Sequence, residues 1–219
     1  MRADSFARTM RWTFAVAVLF AARDASGQVP QGLDSVTAAA IAPIVEQAHA
    51  DKLPVAPLYA KAREGQMQHV PVAKIEAVVR TLADRMRTAN EALAPGASEQ
   101  ELHAAADAIK SGVGPETLRA MREAAGDGSL AVPIGVLTQL IARGVPVERA
   151  SMEVVALLKK GAVAKNFIAL EESVRQDVLA GRRPDESLDL RLKGIIPNLP
   201  QVQGDAAGLT NTATPRRPR

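Results

Sequence analysis

Three histidines and no cysteine define the chemistry open to this 219-residue chain. Without cysteine there is no disulfide, thiolate nucleophile, cysteine zinc site, iron–sulfur cluster or acylated lipobox. The histidines and their acidic neighbours are what remain. Glu46 and His49 stand at i, i+3, the Glu-x-x-His spacing that puts two ligands on one helix face in di-iron carboxylate bundles. Such a centre needs a second Glu-x-x-His and two further glutamates, and neither His69 nor His103 has a glutamate three places before it. Glu46 and His49 therefore read as a solvated pair, with no cofactor expected. A metal-assisted enzyme using these two and a carboxylate from another helix is the alternative function.

His103 and Asp107, four apart, can meet along a helix, and a serine from elsewhere would complete a hydrolytic triad. There is no Gly-x-Ser-x-Gly elbow and no strand to carry one, and Ser98, Ser111, Ser129, Ser151 and Ser187 fall where caps or loops explain them. Gly126-Asp127-Gly128-Ser129 lacks the alternating ligands and closing Glu of a calcium loop and the Gly-Lys-Ser/Thr of a phosphate loop, so it reads as a turn. The segment Tyr59, Lys61, Arg63 and Glu64 is the remaining candidate. Lys61 and Glu64 at i, i+3 can pair on a helix surface, and beside Tyr59 and Arg63 they form a possible interaction patch, because Tyr and Arg are favoured at interface centres.

The elements that carry these residues begin after a leader. Arg2, Arg8 and Arg11 precede an apolar run from Trp12 to Ala22, too short for a bilayer that needs roughly 20 residues. Ala25 and Gly27 then occupy the small-x-small places of a cleavage site. Residues 1–27 read as a signal peptide, with Gln28 the first mature residue and the periplasm or the outside as destination. Cleavage would remove four Arg and two Asp and leave 23 basic against 22 acidic side chains. Over residues 28–200 the balance is 20 to 21, so nucleic-acid binding has no electrostatic motive. Tyr59 and Phe167 would be the last aromatics, too few for stacking platforms that grip sugars or bases.

Apolar spacing in the mature chain is helical throughout. Ile75, Val78, Val79, Leu82, Ala83 and Met86 form one stripe of period 3.6, and Val163, Phe167, Leu170, Val174 and Val178 form another. Gly144-Val145-Pro146 fits a helix stop with Gly in the left-handed position, Val in the hydrophobic contact after it and Pro at N1 of the next helix. Gly112-Val113-Gly114-Pro115 repeats the device. Gly65 followed by His69-Val70-Pro71 is a looser form, Leu53-Pro54 opens an earlier helix, and further stops are expected at Gly161, Gly181 and Gly194. Helices are predicted over 35–50 with a break at Pro43, and over 54–64, 71–90, 99–111, 115–125, 132–143, 146–160, 164–180 and 185–194. Ser98 and Glu101 have capping-box spacing.

The expected fold is all-α, with no sheet: a compact array of antiparallel helical hairpins, irregularly repeat-like. Residues 28–200 form a single domain and 201–219 a disordered basic tail. The run Leu53-Pro54, Leu58, Lys61, Glu64-Gly65, Val70-Pro71 and Ile75, with Gly112-Val113 and Val132-Pro133 to Gly144-Val145-Pro146, resembles a group of uncharacterised exported bacterial proteins built from short helices. That resemblance implies export and an all-α fold, and no activity. The functional expectation is a non-enzymatic interaction or structural module of the bacterial envelope that holds a partner protein in grooves between hairpins. The tail, with Arg216, Arg217 and Arg219, would supply weak contact with anionic envelope components.

Overall fold

The computed structural model describes residues 32–199; the leader and the basic tail lie outside these residues. The chain is all-helical there: α1 Ser35–Ala50, α2 Ala56–Met67, α3 Val72–Ala92, α4 Glu99–Lys110, α5 Pro115–Ala125, α6 Ala131–Ala142, α7 Val147–Lys159, α8 Ala164–Leu179 and α9 Pro184–Ile195. A single 3-10 turn follows at Ile196–Asn198. None of the described helices is long and apolar enough to cross a membrane.

One backbone device recurs between the helices. At Lys52, His69, Gly112, Gly144, Gly161 and Gly181 the backbone turns to positive φ, between 56° and 98°. In each case the next residue's N–H reaches a carbonyl five places back, at 2.9–3.1 Å: Leu53 to Ala48, Val70 to Gly65, Val113 to Ala108, Val145 to Leu140, Ala162 to Leu157 and Arg182 to Asp177. This is the Schellman closure, which satisfies carbonyls that a helix end would otherwise leave orphaned. Leu53, Val113, Val145 and Ala162 are buried behind it, so these four closures also anchor the connection in the core.

Two of these turns use Lys52 and His69 in place of glycine. Gly65 does not stop α2; it lies inside the helix, where a Cβ would come within 2.8 Å of Ile75 Cγ1, so its hydrogen lets α2 and α3 approach. Gly194 likewise lies within α9. Pro71 and Pro146, expected at N1, are N-caps with ψ near 140°, while Pro115 and Pro184 do occupy the first helical position. Pro43 does not break α1. Pro43 and Ala39, whose carbonyl loses its usual donor, are on the exposed face, and buried Ile41, Ile44, Val45 and Ala48 hold both halves of the helix on one core.

Helices pack with near neighbours in the chain. Extensive contacts join α1 to α3, α3 to α4 and α5, α4 to α6, α5 to α7 and α6 to α8, together with the sequential pairs α2–α3, α6–α7 and α8–α9. Every such contact links helices one or two places apart, the near-neighbour pattern of a stacked hairpin array. Buried apolar residues run as one cluster from Leu33 to Leu199, with Leu118, Met121, Leu130, Ile134, Leu137, Leu140 and Phe167 fully enclosed.

Arginine–carboxylate struts tie the stack across its layers. Arg87 of α3 bonds Asp51 after α1 at 2.9 Å, Arg143 after α6 bonds Glu171 of α8, and Arg149 of α7 bonds Asp189 of α9. Two struts are built on a buried carboxylate. Glu101 is a buried carboxylate that accepts the Leu130 N–H at 2.7 Å and Arg122 Nη2 at 3.0 Å on one oxygen, and the Ser98 N–H and hydroxyl at 2.8 and 3.0 Å on the other. It completes the expected capping box and pins the 126–130 turn onto α4. Asp177 of α8 accepts Arg191 Nη2 at 2.6 Å, with Arg191 Nε and the buried Ser187 hydroxyl both at 2.8 Å.

Candidate functional site

A groove of about 650 Å³ is bounded by α2, α3 and α4. Helix period decides what lines it. Pro57, Ala60, Lys61 and Glu64 recur at i, i+3, i+4 and i+7 on α2, and Val78, Thr81, Leu82 and Arg85 have the same spacing on α3. His103, Asp107 and Lys110 complete it from α4. The groove is held open by the packing beneath it. Leu58 and Ala62 of α2, Ile75, Val79 and Ala83 of α3, and Ala105, Ala106 and Ala108 of α4 fill the core below.

The floor is apolar. Val78 is 46% exposed and Leu82 half-buried, although both belong to the α3 stripe whose other members, Ile75, Val79, Ala83 and Met86, are buried. Charges rise around it. Lys61 Nζ donates to Glu64 Oε2 at 2.7 Å. This bond, with the Lys61 charge, lowers the Glu64 pKa, and the field of Lys110 adds to the effect across the groove. His103 Nδ1 lies 3.6 Å from Asp107 Oδ2, beyond hydrogen-bond length. Among the described residues Arg85, half-buried on α3, has no carboxylate partner. His103 and Asp107 also line a second depression of about 370 Å³ between α4 and α6, with Gly135 and Thr138 opposite, so they form the ridge between two hollows.

The structure divides the patch expected at Tyr59, Lys61, Arg63 and Glu64. Lys61 and Glu64 face the groove. Tyr59 is half-buried and packs against the core, and Arg63 lies beside Gly32, near the start of α1. One helix cannot present residues 59, 61, 63 and 64 together, because 59 and 63 share a face that 61 and 64 do not. Glu46 and His49 are both exposed on α1, and the described residues contain no group of three His, Asp or Glu side chains placed to hold a metal. Ser98, which lines a hollow together with His103, is committed to the α4 cap, where its hydroxyl bonds Glu101. Ser151 and Ser187 are not in caps or loops as expected; both are buried inside helices.

A scan against protein-family models finds no match, and searches of curated proteins and of solved structures find none. The groove is therefore read on its own geometry. Sequence reasoning missed Val78, Leu82, Arg85 and Lys110. On a single helix, Val78 and Leu82 are indistinguishable from core, because their exposure depends on how α2 and α4 pack about α3.

Proposed function

We propose that this chain is a non-enzymatic interaction module, exported to the bacterial envelope, that holds a segment of a partner protein in the α2–α3–α4 groove. The observation that carries the reading is the groove's composition. An apolar strip, Val78 and Leu82, lies among side chains of both charges, over the buried residues of three helices. Exposed apolar surface rimmed by polar groups is the anatomy of a protein-binding site. Export rests on the leader of residues 1–27 and the resemblance of the turn pattern to exported helical proteins.

The test is paired. Capture from envelope extract is compared for the native chain and for Val78→Asp, which places a charge on a half-exposed floor residue without disturbing the core. The reading expects a partner retained by the first and lost by the second. Intact mass of the envelope-recovered protein should begin at Gln28. Stoichiometric iron, manganese or zinc in the purified protein would favour the metal-assisted enzyme at Glu46 and His49 instead.

A further inference from the structure

The groove's length and charges constrain what it can take. Along α2 the lining runs from Pro57 to Glu64, seven residue steps or about 10 Å at the helical rise. That admits two turns of a helix or three to four residues of extended chain. Three cations, Lys61, Arg85 and Lys110, face two carboxylates, Glu64 and Asp107. Lys61 is paired with Glu64, so the two groove cations without a carboxylate partner among the described residues are Arg85 and Lys110.

Their positions are opposed. Arg85 follows Leu82 by three residues at one end of the apolar strip. Helix α4 runs back against α3, so Lys110, in its last turn, lies toward the Val78 end, where its field reaches Glu64. Arg85 presents a planar fork suited to a carboxylate, and its half-burial strengthens any such bond relative to one in open water.

Resting on the groove reading above, we propose that the segment bound is acidic: one or two apolar side chains seated on Val78 and Leu82, flanked by carboxylates that meet Arg85 and Lys110.

Three fluorescently labelled peptides of equal length test this on the full chain. They share leucines at the same helix-face positions and carry Glu, Gln or Lys at the flanking positions. By anisotropy at moderate salt, the Glu peptide should bind about tenfold or more tighter than the Gln peptide, with the Lys peptide weakest. Arg85→Gln and Lys110→Gln should each weaken the Glu peptide several-fold and narrow its advantage over the Gln peptide, and added salt should shrink the difference. Equal binding of the Glu and Gln peptides, both lost in Val78→Asp, would overturn the acidic ligand and keep the groove. Peptide binding indifferent to Val78→Asp would overturn the groove itself. No peptide binding, with Arg85-dependent binding to vesicles containing anionic lipid, would overturn the proposal in favour of a membrane surface.

Discussion

Glu101 is the side chain whose loss should cost the fold most for its size. Its carboxylate is 4% exposed and accepts four hydrogen bonds. Burial alone would raise its pKa; the N–H groups of Leu130 and Ser98, the Ser98 hydroxyl and Arg122 outweigh burial and bring it below the ordinary value. Glu101→Ala leaves the buried Leu130 N–H without a partner, at about 1–3 kcal/mol, and removes half the capping box, at about 1 kcal/mol. Arg122, 16% exposed, would also lose its only carboxylate among the described residues. These terms overlap, and about 4 kcal/mol is the expected total. For a domain of this size that lowers the melting temperature by about 10 °C. Glu101→Gln keeps one acceptor oxygen and turns an amide N–H toward donors, so it should fall between. Adding Arg122→Met to Glu101→Ala should restore part of the loss, since neither charge is then left alone. Circular-dichroism melts of these proteins and native, with Arg122→Met alone as the fifth, decide it. A Glu101→Ala melt within about 2 °C of native, or additive effects in the double variant, would refute the reasoning.

Gly144, at φ of 98°, should not tolerate a β-branched side chain, and Gly144→Val should destabilise by roughly 1 kcal/mol or more in a urea melt. Gly65→Ala forces a Cβ to 2.8 Å from Ile75, and about 1–3 kcal/mol should be lost by the same measurement unless Ile75 finds another rotamer. The Asp177 carboxyl is lowered to about 2 by the hydrogen bond from Arg191, then Ser187. Its contribution is complete above the unfolded value of 3.8 and disappears as pH falls toward 2, so melting temperature should drop across that window and drop less in Asp177→Asn.

Helix order and nearly every helix end were legible in the sequence because the signals are local. A Gly-Val-Pro string specifies a left-handed residue, a buried contact and a start within three positions, and Ser98 to Glu101 specifies a cap. The turns at Lys52 and His69 were harder, since a side chain in the left-handed region leaves no glycine to mark it. Pro43 and Gly65 misled for the opposite reason: each has a local meaning that packing overrode, through a shared core under Pro43 and a close helix approach at Gly65. The struts were illegible because Glu101–Arg122, Arg143–Glu171 and Arg149–Asp189 join residues 21, 28 and 40 apart. So was the groove, whose lining comes from three separate helices. Lys61 and Glu64 were correctly singled out as a charged pair, yet their companions in space are Arg85 and Lys110, not Tyr59 and Arg63.

Site-directed photo-crosslinking tests the groove most directly. A benzophenone side chain is placed at Val78, on the groove floor, or at Leu179, 74% exposed on α8, a helix that contributes nothing to that lining. After irradiation in envelope extract, the groove account predicts a discrete adduct from position 78 that is absent from position 179 and is competed away by the Glu-flanked leucine peptide. An adduct from position 179 alone, or one from 78 that persists undiminished in Leu82→Asp, would contradict it.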